Sequence, residues 1–158
     1  MANNFKWVNA TTLNGVFWDN GTLSSTRPIT QTGTLTIGGY SYKYLNTQLN
    51  NTGTIEFQTG DIVNDYYDDS IIGTLNNSGT FKKTTTDTAT IDVAFNNTGT
   101  VNVEAGTLVL SGGGVSNGGT FNITSGKQLE INNSVYTFTN AARINGSGKF
   151  MISGGTLK

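Results

Sequence analysis

Read for polarity alone, the chain repeats one phrase: an apolar residue, Asn, any residue, a small polar residue, Gly, Thr, then apolar, polar, apolar. The phrase falls at 29–37, 49–57, 75–83, 95–103, 115–123 and 144–152. Its central glycines, Gly33, Gly53, Gly79, Gly99, Gly119 and Gly148, recur at intervals of 20, 26, 20, 20 and 29 residues. That is a base period of twenty with insertions of six and nine. Four places before the glycine stand Ile29, Leu49, Leu75, Phe95, Val115 and Ile144, and two places after it Leu35, Ile55, Phe81, Val101, Phe121 and Phe150. Four places after come Ile37, Phe57, Val103, Ile123 and Ile152, with Lys83 the exception. Apolar residues two apart with a polar one between them are the period of a strand with one buried face.

A second glycine turn follows at Gly60, Gly106, Gly126 and Gly155, and more alternation after it, as in Leu108 and Leu110 or Leu129 and Ile131. Short strands joined by glycine turns every twenty residues cannot bury an apolar face alone, so they stack on copies of themselves. The predicted fold is all-β: a single-stranded parallel β-helix, or β-solenoid, of about 20 residues per coil, right-handed by the usual preference of parallel crossovers. Residues 1–28, with Trp7, Trp18 and Pro28, fall outside the repeat and are expected to form a cap or lead-in. Residues 29–158 are the expected solenoid, with insertions near 61–74 and 127–143. Asn50, Asn76, Asn96 and Asn145 share one offset and predict an amide ladder from rung to rung. Thr34, Thr54, Thr80, Thr100 and Thr120 predict a β-branched column beside it.

Composition narrows the function. With 12% charged residues and a net charge of -1, the chain has no basic patch for nucleic acid. The absence of Cys removes disulfides and thiolate metal sites, and the absence of His removes the usual triads and common zinc sites. No apolar run approaches the length of a membrane span, and the N-terminus lacks the pattern of a secretory leader. The last residues, Gly155 to Lys158, stop partway through a rung. An open edge recruits further strands, so we expect a longer solenoid or a subunit that stacks end to end into a fibre.

Runs such as Phe95 to Gly114, Phe-Asn-Asn-Thr-Gly-Thr-Val-Asn-Val-Glu-Ala-Gly-Thr-Leu-Val-Leu-Ser-Gly-Gly-Gly, resemble the repeats of very large bacterial surface proteins of the adhesin, filamentous-haemagglutinin and autotransporter-passenger kind. The resemblance covers Ile29 to the end. It implies an extracellular or cell-surface setting, and a structural or adhesive role with a cell-surface glycan or further copies of the chain as partners. The other reading is a polysaccharide-binding or polysaccharide-degrading β-helix, since lyases and hydrolases use this scaffold with clustered carboxylates on one strand face.

Three features could carry chemistry. The segment 61–70 concentrates Asp65, Tyr66, Tyr67, Asp68 and Asp69 in an otherwise weakly charged chain. Tyrosines there could stack on sugars while carboxylates bind hydroxyls or Ca²⁺. Asp61 and Asp87 both lie eight places after their glycines, so they would meet on adjacent rungs and could hold a cation; the plainer reading is two solvated turn residues. Tyr42 and Tyr44 take the glycine offsets of Leu108 and Leu110 and are therefore expected in the core. Lys83 is expected to distort its rung or send its head to solvent. No cofactor is expected.

Overall fold

The computed structural model describes residues 12–63 and 72–158. Its strands pair in parallel and form three sheets, which the chain visits in strict rotation. One circuit takes about 21 residues. Seven rungs, at 12–24, 29–46, 48–63, 74–92, 94–110, 114–131 and 135–152, are followed by a last strand at Thr156–Leu157. The molecule is the β-solenoid that the period predicts.

The first sheet includes Gln48–Asn51, Thr74–Asn77 and Ala94–Asn97; the second, Thr54–Phe57, Thr80–Lys83 and Thr100–Val103; the third, Gly60–Val63, Thr88–Asp92 and Thr107–Leu110. Strands this short can expose or bury only two side chains per face, so the core is built from columns running along the axis. Leu49, Leu75 and Phe95 stack in the first sheet, Ile55, Phe81, Val101 and Phe121 in the second, and Ile62, Ile91, Leu110 and Ile131 in the third, all fully buried. In the interior Phe81 meets Phe57 of the neighbouring strand edge-on at 5.8 Å and Phe95 of the first sheet at 5.3 Å. Such contacts favour a fixed arrangement over a merely greasy one.

The corner between the first and second sheets is the most regular part of the molecule. Asn76 Nδ2 donates to Asn50 Oδ1 and Asn96 Nδ2 to Asn76 Oδ1, both at 2.9 Å, so the expected outer ladder forms. A second ladder, not expected from the pattern, runs beside it inside the core. Asn51 Nδ2 donates to Asn77 Oδ1 at 2.6 Å, and Asn77 Nδ2 to Asn97 Oδ1 at 2.8 Å. The same two Nδ2 groups reach the carbonyls of Thr80 and Thr100 at 3.0 and 3.2 Å, tying first sheet to second. The Thr34, Thr54, Thr80, Thr100 and Thr120 column is in register as expected.

Several offsets counted from the glycines are corrected by the register. Leu13, Trp18 and Leu23 are buried, and 12–24 already makes the first rung, so that part of 1–28 is solenoid and not cap. Ile144 pairs with Phe121 and Phe150 with Leu129, which places 144–152 across the next corner along, in the second and third sheets. Val135–Thr139 supplies the first-sheet strand there, so the stretch near 127–143 is a rung and not an insertion. Both corners join short alternating strands through glycine, and a local pattern cannot tell one corner from the other. Asn145 accordingly extends a different ladder, donating to Asn122 at 3.3 Å, which donates to Asn102 at 2.9 Å. Val115 also lies one place out of the predicted column: Ser116 follows Asn97, and Val115 faces outward. The insertion near 61–74 falls mainly outside the described residues.

Among the described residues four buried side-chain atoms lack a hydrogen-bond partner: Gln31 Oε1, Asn51 Oδ1, Asn97 Nδ2 and the Tyr136 hydroxyl. Tyr136 is fully buried, its hydroxyl makes no hydrogen bond, and burial raises its pKa above the ordinary tyrosine value. An unmade bond costs a buried hydroxyl about 1–3 kcal/mol. Tyr136→Phe is therefore expected to stabilise the protein by about 1 kcal/mol in urea titrations, and a loss of stability would show that the hydroxyl is satisfied in solution.

Candidate functional site

The two turns of each rung differ in kind. The first is two residues long, with a glycine, in the first six rungs and lengthens to 140–142 in the seventh; the second, between the second and third sheets, spans 58–59, 84–87, 104–106 and 124–127 in the third to sixth rungs. Counting from the glycine therefore loses phase after the second turn. In the second rung Lys43, not a tyrosine, lies in the inward column, between Gly21 and Ile62. Alternation then throws Tyr42 and Tyr44 outward. Tyr42 is 57% exposed, and its ring lies 6.4 Å from that of Tyr44 at 49°. The expectation that these two are core aromatics is corrected.

Lys43 is 0% exposed, and its ammonium is held by backbone: Nζ donates to the carbonyls of Gly39 at 2.7 Å, Ser41 at 2.8 Å and Thr59 at 3.3 Å. Burial lowers its pKa, opposed by the charges of Asp19 and Asp61. The lysine fastens the turn that carries Tyr40 and Tyr42. Lys83 does the same on the fourth rung. It keeps its place between Phe57 and Val103 without distortion, is 0% exposed, and turns its ammonium onto the carbonyl and hydroxyl of Thr85, the hydroxyl at 3.0 Å. It neither distorts the rung nor reaches solvent.

Burial lowers the Lys83 pKa to about 8, with Asp87 opposing. Between about 8 and the ordinary 10.5 the unfolded chain keeps a proton that the folded chain has released. Stability therefore rises with pH through that window. We expect a gain of about 2 kcal/mol from pH 7 to 9.5 in denaturant titrations. Lys83→Met should remove most of it, leaving a remainder from Lys43. An unchanged slope in the variant would mean that Lys83 titrates normally.

Outside the core, the third sheet carries a groove of about 560 Å³ lined by Tyr42, Tyr44, Asp61, Thr90, Asp92, Val109, Ser111, Asn132 and Asn133. It runs from the second rung to the sixth, about 19 Å along the axis at the usual strand spacing. The tyrosines form one end and the asparagines the other. Between them Asp61 faces Thr90 across the ladder, and Asp61 Oδ1 accepts from the Thr90 backbone N–H at 3.2 Å. Asp92 Oδ1 accepts from the Ser111 hydroxyl at 2.8 Å. Val109 supplies an apolar patch of floor. The groove thus offers aromatic faces, ionisable acceptors and amides in a line.

Asp65, Tyr66, Tyr67, Asp68 and Asp69, the residues the sequence favoured, lie outside the described residues. Asp61 and Asp87 do not meet: Asp61 lies opposite Thr90, and Asp87 sits in the turn 84–87. Among the described residues no three carboxylates converge as a metal site would need. Asp92, Ser111, Asn132 and Asn133 were not singled out by the sequence. The usable signal was Leu45, which must face inward and so forces Tyr44 out, but it required accepting Lys43 as a core residue.

Comparison with protein-family models, with curated proteins and with solved structures finds no match to the chain.

Proposed function

We propose that the chain is a structural and adhesive β-solenoid of the bacterial cell surface whose third-sheet groove holds an extended glycan. The observation that carries this reading is the pair of exposed Tyr42 and half-buried Tyr44 opening onto a file of Asp61, Asp92, Ser111, Asn132 and Asn133. Aromatic rings suit the apolar faces of sugars, and hydroxyl-rich chains need acceptors and amides at intervals. The resemblance of the repeats to those of large surface proteins supports the setting.

A panel of immobilised oligosaccharides tests the reading. The double variant Tyr42→Ala, Tyr44→Ala is expected to lose at least about tenfold in affinity with its melting temperature unchanged. A panel on which both proteins give no signal would dispose of it. Degradation is the second reading, favoured by two carboxylates on one face, and release of shortened products from a bound oligosaccharide would establish it.

The proposal includes stacking of copies along the axis. Ile144, Ile152 and Leu157 continue columns buried in earlier rungs, yet are 38%, 46% and 38% exposed. Light scattering of the parent chain should show growth with concentration that Ile152→Lys suppresses; a parent that stays monodisperse counts against stacking.

A further inference from the structure

The charge of the groove narrows its ligand. Its lining contains two carboxylates, Asp61 and Asp92, and neither Lys nor Arg. Lys43 is the cation that acts on Asp61, but its ammonium is buried behind the sheet and committed to three backbone carbonyls. It therefore offers no donor to anything lying in the groove. Asp92 Oδ1 accepts from the neutral hydroxyl of Ser111, and neither Lys nor Arg lines the groove beside it.

Three kinds of polymer can be weighed against this. A chain of uronic or sulfated sugars brings like charge beside Asp92 and is repelled. A neutral chain stacks on the tyrosines but strips water from a carboxylate without giving it a counter-charge, which costs affinity. A chain bearing protonated amines places an ammonium between a carboxylate and an aromatic face, and both attract it. Tyr44 and Asp92 lie two rungs apart on the third sheet, each in register with Val63 between them, and both line the groove.

Resting on the groove reading above, we infer that the glycan this face takes is an amino-sugar polymer with free amino groups. Asp92 is the residue that selects the amine, with Asp61 in support, and Tyr42 and Tyr44 supply sugar and cation contacts together. The groove then discriminates between the deacetylated and acetylated forms of one and the same backbone.

The experiment uses the whole chain and two probes of equal length, a tetramer of β-1,4-linked glucosamine and the corresponding N-acetylglucosamine tetramer, titrated by calorimetry at a pH where the free amines are protonated. The glucosamine tetramer is expected to bind about fivefold to tenfold more tightly. The difference should shrink as salt is raised and vanish in Asp92→Asn, which keeps the side-chain shape and removes the charge. Equal affinity for the two tetramers overturns the inference while leaving glycan binding in place. Unaltered binding of the glucosamine tetramer to Tyr42→Ala, Tyr44→Ala, or equal binding of tetralysine to the parent, shows unspecific attraction of cations and also overturns it. Failure of both tetramers and of every neutral oligosaccharide removes the groove reading itself, and the inference with it.

Discussion

Asn77→Ala lowers the stability of the solenoid by about 3–5 kcal/mol, measured as the shift in free energy from urea unfolding. The residue is the middle member of the inner ladder, buried and bonded on both sides. Truncation removes the acceptor of Asn51 Nδ2 and the donor to Asn97 Oδ1, and it frees the Thr100 carbonyl that Asn77 also holds. Each buried group left without its partner costs about 1–3 kcal/mol. Partial compensation comes from Thr80, which still accepts from Asn51, and from the Gly99 N–H, which still donates to Asn97. Asn76→Ala, one residue away on the outer ladder, is expected to cost under about 1 kcal/mol because water can replace what is lost. Equal effects at the two positions would refute the distinction between ladders.

Gly79→Ala is the second large effect, and it arises from space and not from torsion. A Cβ at Gly79 would stand 2.2 Å from the carbonyl oxygen of Gly53 in the turn below, with Thr52 backbone atoms at 2.7 and 2.9 Å. Gly53 and Gly99 meet the same obstacle, 2.3 and 2.2 Å from the preceding turn. Backbone cannot retreat as a side chain can, and relief requires the rungs to part locally. We expect a loss of about 3 kcal/mol, at the upper end for overpacking. Gly126 is the control. It has a φ of +72° but nothing within 4 Å of an added Cβ, so alanine there should cost only the strain of a left-handed residue, about 1 kcal/mol. A thermal melt of the two variants side by side distinguishes stacking from conformational freedom as the reason for glycine.

The parts of the molecule legible in the sequence are those governed by that glycine corner. From Gly33 to Gly99 the turn is two residues long in every rung, so every column counted across it matches the register: Ile29 to Phe95, Leu35 to Val101 and the outer asparagines. The second corner also packs on the turn below, an added Cβ at Gly106 standing 2.3 Å from the Asp87 carbonyl, yet its length changes from rung to rung. Counting from the glycine loses phase there, and with it the candidate site: the count puts Tyr42 and Tyr44 inward and sets Asp61 against Asp87. The lysines deepened the error. Their burial is tolerable only because turn carbonyls meet each ammonium, and a one-dimensional pattern does not show where those carbonyls point. The inner ladder is hidden for a related reason: Asn51, Asn77 and Asn97 fall at the place in the repeat open to any residue, yet each occupies a buried site.

The contrast between the two corners makes one edge of the rod a fixed ruler and the other an adjustable seam. Added length at the seam leaves the neighbouring rungs undisturbed, as the passage from 58–59 to 84–87 already shows. Peptides grafted there would emerge in a single file, at steps of about 4.8 Å per rung. The solenoid can thus act as a graduated display rod, on which the distance between two presented groups is chosen by counting rungs.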